Sequence, residues 1–183
     1  MKSFILALGS AAALATLSAC DKGDNPAAPT AESAKAAGDD TIAKGLPGGS
    51  KFGEAVKAVG LDATLAGPGP YTVLVPNDAA FDKLPAGALD TLMKPESRAD
   101  LTGVLSYHIL PGTMLAADIG KAIDAGGGKT QIATMGGGTL TATKEGDKIV
   151  FADAAGTKAT VVGADTKRSN GVVHEIDSVL MPK

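Results

Sequence analysis

Tyr71-Thr-Val-Leu-Val-Pro-Asn-Asp-Ala-Ala-Phe81 reads as a β-strand closed by a proline and followed at once by a capped helix. Tyr71 to Val75 is a β-rich run, and Pro76 ends it because proline donates no hydrogen bond to a ladder. Asn77 or Asp78 then caps a short helix that turns Phe81 and Leu84 toward a core. Upstream, Gly67-Pro-Gly-Pro70 breaks the chain. Before that breaker, Ser50 caps a helix in which Phe52, Ala55, Val56 and Val59 fall at i, i+3, i+4 and i+7, with Gly60 as the stop.

Downstream the period stays helical for about 40 residues and then changes. Leu89, Leu92 and Met93 follow at helical spacing. Pro95 opens a further helix that places Leu101, Val104, Leu105 and His108 on one face and ends at Pro111-Gly112. Residues 116–125 form another short helix. Strand-like runs follow at 129–135, 139–143, 148–152, 159–163 and 171–176. Turns at Gly136-Gly-Gly138, Glu145-Gly-Asp147 and Ala154-Ala-Gly156 separate the first four. Strands spaced by roughly 8–12 residues with glycine-rich turns predict a sandwich. Helices first and strands after predict an α+β domain rather than alternating βαβ units.

The start of the chain is not fold. Lys2, the apolar run from Phe4 to Ala15 and the small residues Ser18-Ala19 make an export signal over residues 1–19. The apolar run is shorter than the ~20 residues needed to span a hydrocarbon core of ~30 Å. Leu17-Ser-Ala-Cys20 resembles the bacterial lipobox, in which the cysteine is acylated and becomes the new N-terminus. Cys20, the chain's only cysteine, is thus the expected lipid attachment site, and no intramolecular disulfide can form. Asp21 resembles the inner-membrane retention signal of enteric bacteria. Residues 20–40 are rich in Ala, Pro, Gly, Asp and Lys without hydrophobic period, the composition of a disordered tether on the order of 25 Å long. Residues 41–183 are left as one domain, exported and lying in the periplasm or at the cell surface.

The whole chain carries a formal net charge of −3, with 17 Lys and Arg against 20 Asp and Glu. Loss of Lys2 with the signal leaves 16 against 20, a charge of −4. A mildly acidic domain has no electrostatic footprint for nucleic acid. With Phe52, Tyr71, Phe81, Tyr107 and Phe151 as its aromatics, stacking on single strands is not expected.

Catalytic and metal motifs are approached without being completed. Gly126-Gly-Gly-Lys-Thr130 ends like a phosphate-binding loop, but Ile123 stands where the first glycine is required. His174-Glu175 begins a zinc-protease motif, yet Ser178 replaces the second histidine and the run is β-patterned. On a strand His174 shares a side with Val172 and Ile176, which makes it a buried core histidine. Ser106 and His108 would lie about 6–7 Å apart along a strand, too far for an activated nucleophile. No serine has glycine at both −2 and +2, so the nucleophile elbow is missing. The carboxylates are scattered through turns and helix starts, with no paired acids. The expectation is no enzyme, no metal and no cofactor.

The segment 71–81, the pair Tyr107-His108, and Asn170-Gly-Val-Val-His-Glu-Ile-Asp-Ser-Val-Leu-Met-Pro182 together resemble the fasciclin (FAS1) domain, an extracellular adhesion and interaction module. The resemblance runs from about Asp40 to Lys183. It implies two packed β-sheets with several short helices along one side, and the 71 and 171 strands close together in the core. Thr72, Pro76, Asn77, Ala80 and Phe81 match the family's first segment; Asn170, Gly171, His174, Ile176, Asp177 and Pro182 match its last. Tyr107 and His108 match a Tyr-His pair implicated in receptor binding in some animal members, although the same pair can pack with its polar tips satisfied. Leu74-Val75 and Glu175 depart from the usual pattern, and Glu175 implies a solvated strand face.

The leading function is a non-enzymatic, lipid-anchored adhesion or interaction module of the cell envelope, whose partner is a protein, a glycan or a matrix polymer. The alternative is a small-ligand carrier or sensor. An apolar pocket with convergent polar groups would favour the carrier, and an exposed apolar patch would favour adhesion.

Overall fold

The computed structural model describes residues 40–182. The export signal, Cys20, Asp21 and all of the tether except Asp40 lie outside the described residues. Described contacts begin at Asp40, whose carbonyl accepts the Ser169 amide at 2.9 Å and whose carboxylate meets the Arg168 guanidinium at 2.6 Å.

The chain runs through α1 (Ile42–Gly45), α2 (Lys51–Val59), α3 (Asp62–Ala66), β1 (Tyr71–Pro76), α4 (Asp78–Asp82) and α5 (Ala88–Leu92). A 3-10 turn (Pro95–Ser97) leads into α6 (Arg98–Tyr107), β2 (Ile109–Pro111) and α7 (Ala116–Ala125). The strands β3 (Lys129–Ala133), β4 (Thr139–Glu145), β5 (Lys148–Ala152), β6 (Lys158–Arg168) and β7 (Gly171–Ile176) complete it. Local signals set several of these limits. The Ser50 hydroxyl accepts the Gly53 amide at 3.1 Å, and Gly60 leaves α2 in the left-handed region at φ 79°, where glycine meets no Cβ clash. Asn77, not Asp78, caps α4 through its side-chain oxygen and the Ala80 amide at 2.9 Å. Asp78 instead accepts the Lys51 amide at the start of α2.

Several elements differ from the sequence expectation. Pro95 opens a 3-10 turn rather than the helix, and the helix ends at Tyr107 rather than running to Pro111. Ile109–Pro111 forms a short strand, because Val73, Thr72 and Tyr71 of β1 offer it an antiparallel partner. The fourth strand of the second half reaches Arg168, five residues beyond the expected limit, held by pairing to β7.

The strand order is β2-β1-β7-β6-β5-β4-β3. β1 and β7 are parallel, in register from Tyr71↔Gly171 to Pro76↔Ile176, and the other pairs are antiparallel. β6 joins two halves: 158–160 pair with β5, and 161–168 pair with β7 across two register shifts. Such bulges bend and twist a strand. The ladder curls until the Met135 amide beyond β3 donates to the Ile109 carbonyl of β2 at 2.8 Å.

Two cores result. Val73 and Val75 face a core covered by α1–α6, with Phe52, Leu65, Phe81 and Leu105 in it. Leu74, on the other face of β1, enters a second core with Leu140, Phe151 and Ile176, which α7 covers with Ile119 and Ile123. β1 is thus buried on both faces, which is why it reads as a continuous apolar run. The domain is an α+β fold, as the order of helices and strands predicts.

Candidate functional site

The three sequence segments come together as adjacent strands. β2, entered directly from Tyr107-His108, pairs with β1, and β1 pairs with β7. Thr72, fully buried in β1, donates its hydroxyl to the Gly112 carbonyl at 2.7 Å and accepts the Met114 amide at 2.8 Å. Pro76 closes β1 opposite Ile176, and the next amide, Asn77, donates to the Ile176 carbonyl. Phe81 follows one turn into α4 and lies in the first core.

Tyr107 is 1% exposed and His108 is fully buried. The Tyr107 hydroxyl donates to the Thr139 carbonyl at 3.0 Å, and burial, foremost, raises its pKa. The turn 136–138 lies directly against this tyrosine. A Cβ on Gly136 would come within 2.9 Å of the Tyr107 amide nitrogen, and one on Gly138 would overlap the Tyr107 ring. The glycine run therefore permits a close approach, which its composition alone does not reveal. His108 Nδ1 lies 2.7 Å from the Val104 carbonyl, and its Nε2 accepts the Leu180 amide at 3.1 Å. Burial lowers its pKa to about 4, against smaller opposing effects of the Val104 carbonyl and the Asp153 carboxylate.

His174 lies between Val172 and Ile176 on the buried side of β7, as its strand position predicts. Its Nε2 lies 2.8 Å from the Met114 carbonyl, and its Nδ1 accepts the Asp165 amide at 3.2 Å. Burial lowers its pKa, over the opposing Met114 carbonyl and Asp165 carboxylate. Asp165 sits in the irregular stretch of β6 at φ 58°, and its carboxylate accepts the Ala116 amide at the start of α7. Glu175 is exposed, as expected of its strand face.

Asn170 has the widest reach. Its Oδ1 accepts the Ile42 amide at 2.8 Å, and its Nδ2 donates to the carbonyls of Leu65 and Gly67 at 2.7 and 2.8 Å. Its own carbonyl accepts the Tyr71 amide at 3.1 Å. Gly171 lies so close to β1 that a Cβ there would overlap the Tyr71 carbonyl oxygen. Asp177 accepts the Thr160 amide at 2.8 Å. Burial acts to raise its pKa, but the Thr160 amide, the Ser178 hydroxyl and Lys83 together outweigh it and lower the value.

Sequence reasoning missed Asp153, in the β5–β6 turn. One carboxylate oxygen accepts the Ala155 and Thr157 amides and the other the Met181 amide at 3.0 Å. An aspartate opening a turn of small residues and glycine is a recognisable signal for the first two bonds, though not for the third. Residues 126–128 form a surface turn between α7 and β3, with Gly127 and Gly128 at φ 70° and 98°, and Lys129-Thr130 open the strand.

Chemically, the motif residues are occupied by the backbone. Both nitrogens of each imidazole have main-chain partners, so neither ring is free to move a substrate proton or bind a metal. Among the described residues no group of three His, Cys, Asp or Glu is placed to hold a metal ion. Surface features lie elsewhere. Pro85, Ala86, Gly87, Ala88, Thr91, Leu92 and Met181 line an open groove of about 460 Å³. The Thr91 hydroxyl donates to the Gly87 carbonyl in its own helix at 2.8 Å. Met93, Met135 and Val162 are exposed large apolar side chains.

The fasciclin domain model matches residues 47–182. Over 128 residues the chain is 38% identical to protein sll1483 of Synechocystis, covering 70% of this chain and 64% of that protein. Over 124 residues it is 36% identical to the cell surface glycolipoprotein MPB83 of Mycobacterium bovis, covering 68% of this chain and 49% of the relative. It thus spans less than two thirds of either protein. Its fold is similar to a FAS1 domain pair from the insect cell adhesion molecule fasciclin I, with a TM-score of 0.55 and 24% identity over 71% of this chain and 44% of that one. By the domain-model match over residues 47–182, the chain belongs to the fasciclin domain family.

Proposed function

We propose that this protein is a non-enzymatic adhesion or interaction module of the cell envelope, exported and anchored by lipid at Cys20, that binds a protein, glycan or matrix partner. The observation that carries the reading is the commitment of the motif side chains to the fold. Thr72, Tyr107, His108, Asn170 and His174 are buried and bonded to backbone, so contact with a partner falls to the outer surface. The groove beside Met181 is open and apolar, and its one polar side chain is Thr91. That arrangement lacks the converging polar groups by which a carrier orients a small ligand. Family membership and the likeness to a cell surface glycolipoprotein support export and surface display. No helix among the described residues is long and apolar enough to cross a membrane.

The test is capture from intact envelopes by a soluble Cys20→Ala form, beside fractionation of the same variant in cells. Capture of a protein or polymer, with loss of the variant from the membrane fraction, is expected. A co-purifying small molecule with no macromolecular capture would favour the carrier. Unchanged, membrane-bound mature Cys20→Ala protein would remove the lipid anchor.

A further inference from the structure

We propose that the C-terminal segment 179–182 is held by an acid-released clamp, in which His108 and Asp153 grip the adjacent amides of Leu180 and Met181. The bond pattern requires a neutral imidazole. The Val104 carbonyl can only accept, so Nδ1 carries the proton that meets it at 2.7 Å. Nε2 then offers a lone pair, which the Leu180 amide fills at 3.1 Å. A second proton at Nε2 would point at that amide hydrogen, and the bond would be lost. One residue along, the Met181 amide is held at 3.0 Å by Asp153, whose other oxygen fixes its own turn.

The segment joins the two cores. Val179 belongs to the first and Leu180 to the second, so its release loosens both where they meet. Met181 walls the open groove beside Pro85 and Leu92, and that wall moves with it. The groups around the His108 ring are known. α2 presents Phe52 in a T-shaped contact with ring centroids 6.1 Å apart, α6 presents the Val104 carbonyl, and the C-terminal segment presents the Leu180 amide. Asp153, from the β5–β6 turn, is the charged group acting on the ring. It favours protonation, but burial outweighs it.

An imidazole freed by opening regains its ordinary value of 6.5, against about 4 when clamped. Acid therefore favours the open clamp progressively between those two values. The full difference corresponds to a shift of about 300-fold in the opening equilibrium.

Amide hydrogen exchange of the full chain, taken from about pH 7 to about pH 4 and corrected for intrinsic rates, tests the idea. Protection at Leu180 and Met181 should fall about tenfold or more beyond that at Leu140 and Phe151, which report the second core. Equal losses at all four amides would mean general acid unfolding and overturn the clamp, as would full protection of Leu180 throughout. His108→Gln places a non-titrating acceptor near Nε2 and should keep Leu180 protected in acid. Acid release in a folded His108→Gln protein at the wild-type pH would remove His108 as the trigger. If that variant does not fold, the ring nitrogen shifts of wild-type His108 serve instead: they should titrate together with loss of Leu180 protection, and separate midpoints would overturn the proposal.

Discussion

The side chain of Asn170 accepts the Ile42 amide at 2.8 Å, joining the first helix to the entry of the last strand across 128 positions. The same side chain donates to the carbonyls of Leu65 and Gly67, so one residue closes the ends of α1 and α3 onto the sheet. Asn170→Ala strands a buried amide and two carbonyls, each costing about 1–3 kcal/mol when unpaired. The expected loss is roughly 3 kcal/mol in urea unfolding. A loss below about 1 kcal/mol would show that water replaces the amide.

Phe81 acts through packing. It fills the first core one turn after the Asn77 cap, and truncation of a buried phenylalanine costs about 3–5 kcal/mol. Phe81→Ala should unfold most of the domain at growth temperature, which circular dichroism will show. A melting temperature within a few degrees of wild type would contradict its place in the core.

Two glycines should respond with opposite sign. Gly138→Ala drives a methyl into the buried Tyr107 ring, and overpacking of this kind costs about 1–3 kcal/mol. Gly103, inside α6, has open space where a Cβ would stand. Gly103→Ala should stabilise by about 0.5–1 kcal/mol through helix propensity and a less flexible unfolded chain. Thermal unfolding of the pair tests both signs, and destabilisation by Gly103→Ala would refute the helical reading of that position.

Replacing Tyr107 and His108 together should weaken partner capture only as far as it unfolds the domain, because both side chains point inward. Capture is to be compared at a temperature where both proteins are folded. A tenfold loss of affinity, about 1.4 kcal/mol, with unchanged melting would make the pair a contact.

Stability should fall in mild acid. The folded pKa of His108 lies below its unfolded value of 6.5, so the folded state binds fewer protons in that range. Its contribution is complete above about pH 6.5 and is lost as pH falls toward about 4, a change on the order of 3 kcal/mol. His174 is lowered by burial and acts in the same direction. Asp177, also lowered, adds a loss below the ordinary carboxylate range. Melting temperatures across this range should decline steadily, and a flat profile would exclude buried neutral histidines.

Local chemistry determined the elements that carry their own start and stop signals. α2 runs from the Ser50 cap to Gly60, α7 occupies 116–125, and β1 ends at Pro76, as the sequence reads, because caps, proline and helical period act within a few residues. The burial of His174 follows from strand alternation in the same way. Tertiary structure decided the rest. Ile109–Pro111 becomes a strand only because β1 lies beside it, and β6 extends to Arg168 only because β7 holds it there. The glycines at 136 and 138 are fixed by a tyrosine some thirty residues earlier, and the grip of Asp153 on Met181 spans 28 residues. Such contacts couple positions whose separation along the chain carries no periodic signal. They exist once two cores share β1 and the C-terminal segment, and the inward setting of Tyr107 and His108 is their consequence.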